Sequence, residues 1–303
     1  MVGESVRGSL KVLVASYVAA QKDRIASENR IRTMELLPEV QELLSEKAQE
    51  DREWERKIRK MLTPLLDSFD EWVYWMKYVR GLGPTLAAKY LAVIDWNKVR
   101  YPSSLYMYFG LICDEKGRAY RPKRGEKAPF DRKKKALVFN TVQSFIKKGG
   151  GYRRLFDRFK KAEEQKKRFT IKVRDLDEEL YVGHLLIEDG KTIALTKQNI
   201  KKIKQKYSPD DEIVLERTGK HRFYRAVRKV GKVFLSHMVM FHYWFNYRRL
   251  VLAYPLVYCD GHGNYVYMPV LDVSKDELND DKFMWWHTLY DAIKDDGRKP
   301  VVL

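Results

Sequence analysis

Apolar residues recur at helical spacing through residues 6–79, a stretch with almost no glycine or proline. Residues three, four and seven positions apart share one face of a helix, so the pattern predicts three or four helices. We expect two apolar stripes to belong to the core: Leu36, Leu37, Val40, Leu43 and Leu44, and then Trp72, Trp75, Met76 and Val79.

The pattern changes after residue 168, where short β-rich runs are interrupted by Asp189-Gly190 and Pro209. These runs predict a small β-rich unit of about 50 residues. Helical periodicity returns over residues 222–252, and Asp260-Gly261 is typical of a hairpin or loop. We therefore expect a mainly α fold, α+β overall.

Four regions follow from this pattern. They are a helical N-terminal region (1–68), a helix-hairpin-helix and basic region (69–165), a small β-rich insertion (166–218), and a C-terminal helix and tail (219–303). The N-terminal helices are also where we expect a homo-oligomer to form, if the chain forms one.

Charge points to the class of partner. The 303 residues carry 59 Lys and Arg against 41 Asp and Glu, a formal net charge of +18. An excess of this size favours a polyanion partner. Residues 114–174 hold 22 of the bases and seven of the acids, so this segment is the predicted nucleic-acid footprint.

The sequence excludes several other classes of protein, namely membrane-spanning, secreted and disulfide-rich ones. No apolar run approaches the roughly 20 residues that cross a bilayer, and residues 1–20 lack the pattern of a secretory signal. Two cysteines, Cys113 and Cys259, build neither a disulfide framework nor a four-thiolate zinc site. We expect a cytoplasmic protein without membrane contact, and its abundant Lys, Glu and Arg beside seven Gln resemble an archaeal or thermophilic protein.

The sequence Gly81-Leu82-Gly83-Pro84 lies between two helical patterns, and the small residues Ala87-Ala88 follow it. Glycines permit positive φ and a close approach of the backbone to phosphate. Proline suits a first helical turn, whose free amides attract anions. This pattern is typical of a helix-hairpin-helix, which binds sugar-phosphate rather than base edges. The alternative is an ordinary corner whose glycines form a C-cap and a turn.

These residues resemble the helix-hairpin-helix domain of the insertion-sequence transposases that use a bridge RNA and pair a RuvC-like nuclease domain with a C-terminal serine-bearing domain. The matching pieces are Gly81-Leu82-Gly83-Pro84, Ala87-Ala88, Ile94-Asp95, Tyr101-Pro102-Ser103, Tyr108-Phe109-Gly110-Leu111 and residues 132–142. Residues 223–254 are similar to the closing helix of archaeal relatives. The resemblance implies a transposase-like protein that binds DNA or RNA.

The chain departs from that family at both catalytic parts. The family's nucleophilic serine lies in a Ser-Ser-Gly-Gly-Lys-like stretch, whereas residues 113–119 here contain no serine. The family's acidic nuclease domain precedes the hairpin, where this sequence has a short helical segment. We therefore expect a binding protein with no catalytic residue and no cofactor. A recombinase or structure-specific nuclease with an unrecognised active site is an alternative.

Other candidates for chemistry have simpler explanations. Ser103 and Ser104 fit a helix N-cap better than a nucleophile. The pairs Cys259/His262 and His237/His242 do not extend to a four-ligand set, so we expect no metal site. Adjacent acids have side chains that point apart and indicate solvated loops; they are Asp210-Asp211, Asp280-Asp281 and Asp295-Asp296.

The predicted interface combines the hairpin with the basic segment. Its residues are Arg80, Gly81, Leu82, Gly83, Thr85, Lys89, Lys116, Arg118, Arg121, Lys123, Arg124, Lys127, Arg132, Lys133, Lys134 and Lys135. Bases at a helix start oppose the helix dipole, so helix stability does not select the last four. A surface that only promotes solubility is the alternative.

The polymer that this interface binds is left open by the sequence. Tyr120, Phe130 and Tyr152 either stack on unpaired bases or pack locally. Phosphate contacts do not separate DNA from RNA. The expected partner is DNA, duplex or branched, with structured RNA as the alternative.

Overall fold

The computed structural model describes residues 3–113, 119–120, 125–177, 181–252, 257–258 and 265–303. The fold is mainly helical and includes a small antiparallel sheet, which confirms the predicted mainly α, α+β class. No helix in this described part of the chain combines the length and the apolar content needed to cross a bilayer.

The helices are α1 (Glu4–Thr33), α2 (Pro38–Leu66), α3 (Asp70–Val73), α4 (Pro84–Val93), α5 (Pro102–Tyr108), α6 (Arg132–Lys148), α7 (Gly151–Gln165), α8 (Lys197–Lys206), α9 (Gly219–Tyr247), α10 (Lys275–Leu278) and α11 (Met284–Asp295). The strands are β1 (Arg168–Lys172), β2 (Leu185–Glu188), β3 (Lys191–Ala194), β4 (Glu212–Glu216), β5 (Val257–Tyr258), β6 (Tyr265–Tyr267) and β7 (Lys299–Val301). Single turns of 3-10 helix form at Met76–Tyr78, Trp96–Lys98, Val173–Asp175 and Asp281–Phe283.

Helices α1 and α2 form a long antiparallel hairpin. The side of α2 that faces α1 carries buried residues three and four positions apart, the spacing of a coiled-coil seam: Ala48, Asp51, Glu55, Ile58 and Leu62. The seam is partly ionic, because Arg24 Nε donates to Glu55 Oε1 at 2.6 Å.

The prediction that residues 36–44 form a core stripe is wrong at three positions. Leu37, Val40 and Leu43 are 70%, 41% and 64% exposed, whereas Leu36 and Leu44 are half-buried. The α1–α2 seam takes up only the face of α2 that includes Leu44 and Ala48, so the apolar residues beside that face remain in solvent.

The main core surrounds α9. The helical periodicity predicted over residues 222–252 places six apolar residues on one face of this helix, and five of them are buried: Val227, Val230, Phe234, Met238 and Phe241. The sixth, Phe245, is half-buried. The stripe at residues 72–79 is also buried, as predicted, although the chain there is a short α-helix followed by a 3-10 turn. This core includes residues from both ends of the chain, from Leu10 to Ile293.

The β-rich unit has a core of its own. Its four strands pair antiparallel in the order β1-β4-β2-β3, and Ile200 and Ile203 of α8 join Leu186, Ile213 and Leu215 in a separate apolar cluster. Asp189 and Gly190 have φ of 48° and 75° in the tight turn between β2 and β3, as an Asp-Gly hairpin requires.

A second sheet closes the C-terminal region. Val257 pairs with Val266 in an antiparallel ladder, so of the two predicted alternatives for this region, a hairpin or a loop, β5 and β6 pair as the arms of a β-hairpin. Strand β7 pairs with β6 in parallel. The predicted loop residues Cys259 and Asp260-Gly261-His262 lie outside the described residues.

Candidate nucleic-acid interface

The predicted hairpin is a tight turn between the 3-10 turn ending at Tyr78 and the helix α4. Leu82 is buried and donates its amide to Val79. Gly83 is the N-cap of α4 and Pro84 its first residue, as Pro in a first turn predicts. Among the described residues no acceptor is bonded to the N–H groups of Gly83 and Thr85. The start of α4 therefore offers two backbone donors to an anion.

The two glycines of the hairpin have different roles. Gly81 has φ of 90°, and a Cβ there would lie 2.9 Å from the carbonyl oxygen of Ser144 in α6. Gly83 has φ of −74°, so the expectation that it needs positive φ is wrong. Gly83 is exposed and a Cβ there would meet nothing within 4 Å. Gly81 is thus required by packing, whereas Gly83 leaves open space at the helix start.

A second glycine turn, which was not among the predicted elements, lies beside the hairpin. Gly149 and Gly150 have φ of 81° and 89° between α6 and α7. The carboxylate of Asp272 joins the two turns, because it accepts from the amide of Arg80 at 2.8 Å and from that of Gly151 at 2.7 Å. The sequence feature that could have predicted this turn is the run of three glycines at residues 149–151, directly after two lysines.

Exposed cations surround the paired turns. Arg80, Lys147, Lys148 and Arg154 are all exposed. Arg80 and Arg154 line a cavity of about 530 Å³ whose wall also includes Gly150 and Asp272. Asp272 already occupies the amides of Arg80 and Gly151, so a phosphate at this site would contact the side chains and the start of α4.

Helix α6 connects the hairpin to the basic segment. Ser144 Oγ, near its C-terminal end, donates to the carbonyl of Gly81 at 2.7 Å. The N-cap of α6 is Asp131, whose carboxylate accepts a hydrogen bond from the amide of Lys133 at 2.8 Å. Arg132 and Lys133 are exposed at this end, so the hairpin and the basic residues lie at opposite ends of one helix about 25 Å long.

The next two bases of α6 lie over aromatic rings. Lys134 Nζ is 3.6 Å from the ring centroid of Tyr108, and Lys135 Nζ is 5.0 Å from that of Phe130. Both side chains are half-buried. Their stems are therefore held against the protein by cation–π contacts, and Arg132 and Lys133 are the more accessible pair.

Lys89 is less accessible than the sequence implies. Its ammonium lies 5.3 Å from the ring centroid of Tyr17 in α1, and burial lowers the pKa of Lys89 below its usual value. It belongs to the packing between α4 and the α1–α2 hairpin.

Five residues of the predicted basic loop lie outside the part of the chain that the structure describes: Lys116, Arg118, Arg121, Lys123 and Arg124. The loop residue that is described, Lys127, is exposed.

The aromatic residues of this region pack locally where they are described. Tyr152 is buried, and its hydroxyl hydrogen-bonds with Nδ1 of His237 at 2.8 Å. Phe130 fits against Gly110, and its ring lies 6.4 Å from that of Tyr120. Tyr152 is therefore not available to stack on bases.

The basic face of α9 is engaged within the protein. Glu163 of α7 accepts from Arg225 at 2.6 Å and from Lys229 at 2.5 Å. Arg228 donates to the carbonyls of Leu111 and Ile112 and lies 2.8 Å from Cys113 Sγ. These cations hold α9 against its neighbours.

The serine and histidine candidates that the structure describes have local structural contacts. Helix α5 begins at Pro102 after the N-cap Tyr101, so Ser103 and Ser104 lie in its first turn and the prediction that they cap it is wrong. His237 donates or accepts only within the core, and His242 hydrogen-bonds with Glu71 at 2.9 Å. No group of three or more His, Cys, Asp or Glu among the described residues is placed to hold a metal ion.

Comparison with known proteins found no matching family model, no matching curated protein and no matching solved structure.

Proposed function

We propose that the protein binds DNA by contacting the sugar-phosphate backbone along α6 and at the hairpin beside it. The observation that supports this most is the position of Gly81 against Ser144, which places the hairpin at one end of the helix that begins with Arg132 and Lys133. The two parts of the predicted interface thus share one rigid element.

The charge of this element fits a polyanion. Helix α6 contains six Lys and Arg and no acid, and residues 132–161 contain eleven bases and one acid. Duplex DNA carries about one negative charge per 1.7 Å of its axis, so the helix length of about 25 Å corresponds to about 15 phosphate charges. Several phosphates can therefore be neutralised by one face of the molecule.

Helix stability does not account for the basic start of α6. Arg132 and Lys133 lie at the positive end of the helix dipole and repel one another, which costs stability in the isolated protein. A phosphate bound near them would remove that repulsion. The groups present contact a backbone and do not select a base, so we expect similar affinity for unrelated sequences.

The salt dependence of binding tests the proposal. Anisotropy of a labelled duplex of about three helical turns should show affinity falling steeply between about 50 and 200 mM salt. Arg132→Ala with Lys133→Ala should make the log-log slope shallower by up to about 1.8, which is about 0.9 for each phosphate that these side chains neutralise in the wild-type complex. The exposed pair Lys294→Ala and Lys299→Ala in the C-terminal segment is the matched control and should keep the wild-type slope.

An unchanged slope in the Arg132 and Lys133 variant would mean that the start of α6 is only a solvated surface. Competition by junction DNA, single strands and duplex RNA of equal length separates the polymers. DNA that competes at least as well as RNA supports the proposal, and a clear preference for RNA would reassign the partner.

A cleavage assay separates a binding protein from a nuclease. Supercoiled plasmid incubated with the protein and Mg²⁺ or Mn²⁺ should remain uncut. Reproducible nicking that a point substitution abolishes would place the protein among the enzymes.

A further inference from the structure

The cavity of about 530 Å³ next to the hairpin has three cations in its wall. Arg80 directly precedes the hairpin glycine, Arg154 belongs to α7, and Lys275 is the first residue of α10. All three are exposed, and among the described residues no hydrogen-bond acceptor or acid is bonded to any of their side chains. The described part of the chain therefore gives these three charges no counterion.

The two acidic side chains in the same wall are already engaged. Asp272 accepts from the amides of Arg80 and Gly151, one at each oxygen. Glu277 accepts from the amide of Ser274 at 2.8 Å and from its hydroxyl at 3.0 Å, as part of the capping box that begins α10. Both carboxylates thus bond to donors other than the three cationic side chains, which stay open to an anion from outside.

The rest of the wall is mostly apolar. Leu271 and Leu278 are half-buried, Trp286 is buried, and Val302 is exposed. The volume is larger than a phosphate group needs and lies within the range of about 300–1,000 Å³ that small-molecule sites have. A ligand that combines an anionic group with a less polar part fits such a wall, and a nucleoside monophosphate has both.

We propose that this cavity binds the terminal nucleotide of a DNA strand whose end carries a phosphate. The inference rests on the proposed function, because the hairpin and α6 hold the adjoining duplex. A base inside a duplex must be extruded before it enters a cavity, whereas an unpaired strand end is free to enter. A terminal phosphate is a monoester with about two negative charges near neutral pH, against one for a phosphate within the strand, and so suits several cations.

Duplexes that differ only at one strand end test the proposal. They have one sequence and a short 5′ or 3′ overhang that ends in a phosphate or in a hydroxyl, and a further duplex is closed at both ends by loops. Anisotropy titration should show the phosphate end of at least one polarity bound at least about tenfold more tightly than the matching hydroxyl end, because the phosphate gains charge-assisted hydrogen bonds. Equal affinity for phosphate and hydroxyl ends of both polarities would overturn the proposal.

Two variants test the cavity itself, one by charge and one by space. Lys275→Ala should reduce the preference for the phosphate end by at least about threefold, since one charge-assisted hydrogen bond is lost. Val302→Trp adds bulk at an exposed position of the wall and should reduce the same preference. Neither residue belongs to the α6 and hairpin contacts, so both variants should bind the closed duplex like wild type.

Lys294→Ala removes an exposed lysine from α11 and is the control, which should keep the wild-type preference. Circular dichroism checks that each variant retains its helices. A preference that survives either Lys275→Ala or Val302→Trp would overturn the proposal.

The closed duplex separates this inference from the proposed function. Binding of the closed duplex without any advantage for a phosphate end would leave backbone binding intact and contradict only the strand-end site. Failure of every DNA to bind would overturn the proposed function, and this inference with it.

Competition by small ligands identifies what the cavity recognises. Deoxyadenosine 5′-monophosphate should displace the phosphate-bearing end from the cavity and lower its affinity to that of the hydroxyl end, while leaving the closed duplex bound. Inorganic phosphate at the same concentration and ionic strength should displace it less. Equal displacement by the two would show that the cavity accepts phosphate without its nucleoside, and the assignment to a terminal nucleotide would be wrong.

Discussion

The carboxylate of Asp272 accepts a hydrogen bond from the backbone N–H of Arg80, 192 residues earlier in the chain, at 2.8 Å. Its other oxygen accepts from Gly151, and its own amide donates to the carbonyl of Tyr78 at 2.9 Å. One aspartate thus connects the hairpin, the turn before α7 and the C-terminal segment. The position of the hairpin therefore depends on a residue far outside it.

We expect Asp272→Ala to lower the free energy of unfolding by about 1–3 kcal/mol, because two backbone donors lose their acceptor. Urea unfolding followed by circular dichroism measures the change. Asp291→Ala removes an exposed carboxylate from α11 and is the control. Equal stability of the two variants would show that water replaces Asp272 at no cost.

The two glycines of the hairpin should respond differently to the same substitution. Gly81→Ser combines a φ of 90° with a contact of 2.9 Å to the Ser144 carbonyl, and should cost about 1–3 kcal/mol. Gly83→Ser places a favourable N-cap residue in open space and should be neutral or stabilising. Thermal unfolding of both variants checks this order, and a Gly83→Ser variant as unstable as Gly81→Ser would contradict it.

Gly83 also allows the proposed phosphate contact at the start of α4 to be tested without disturbing the core. Gly83→Val adds a branched side chain beside the unbonded N–H groups at the start of α4, so it should weaken DNA binding while the helical content stays at the wild-type level. Anisotropy titration and circular dichroism measure the two effects. Wild-type affinity in the folded variant would exclude a phosphate at the start of α4.

Local sequence patterns were sufficient to predict most of the secondary-structure elements of this fold. Periodicity identified the buried face of α9, and the Asp189-Gly190 pair identified the β2–β3 turn. The same periodicity placed Leu37 and Leu43 in the core, where the structure shows them exposed. Apolar spacing reveals that a helix face can be covered, but whether the covering partner lies in the same chain depends on tertiary contacts.

Contacts between distant segments could not be derived from the sequence. Nothing near Asp272 indicates that it binds the amides of Arg80 and Gly151, since these residues are 192 and 121 positions away. Arg225 and Lys229 are part of a basic helical face in the sequence, yet both form ion pairs with Glu163 in the fold. The number of Lys and Arg residues counted in a predicted footprint is therefore an upper limit on the number that can contact phosphate.

His237 should make stability depend on pH. The ring is fully buried, with Tyr152 at Nδ1 and the carbonyl of Tyr267 at Nε2, and burial lowers the pKa of His237 to about 3. In the unfolded chain this histidine binds a proton near pH 6.5. Between these values the unfolded state binds more protons, so stability falls as the pH is lowered, by up to about 1.4 kcal/mol per pH unit.

Substitution separates this contribution from that of other groups. His237→Gln does not titrate, so between pH 6.5 and 5 it should lose less stability than wild type, by up to about 2 kcal/mol. Urea unfolding at the two pH values measures the difference, and His287→Gln is the control. A variant whose stability falls as steeply as wild type would show that His237 is not the responsible group.

Alanine substitutions of Arg225 and Arg132 should have opposite effects on stability and on DNA binding. The reason is that Arg225 is engaged by Glu163, whereas Arg132 is free to contact a phosphate. The side chain of Glu163 is only 2% exposed, and burial alone would raise its pKa. Hydrogen bonds from Lys229 and Arg225 outweigh burial and lower the pKa of Glu163 below its usual value. The ion pair is therefore a stabilising contact between α7 and α9.

We expect Arg225→Ala to lower the free energy of unfolding by about 1–2 kcal/mol, an effect limited by the exposure of Arg225, and to leave the salt dependence of DNA binding unchanged. Arg132→Ala should leave stability within about 0.5 kcal/mol of wild type and make the log-log salt slope shallower by about 0.9. Unfolding measurements on the two variants check the predicted stabilities, and anisotropy titrations of the same preparations check the predicted salt slopes. A shallower slope in Arg225→Ala would mean that this arginine exchanges Glu163 for phosphate when DNA binds, and the interface would then extend from α6 onto α9.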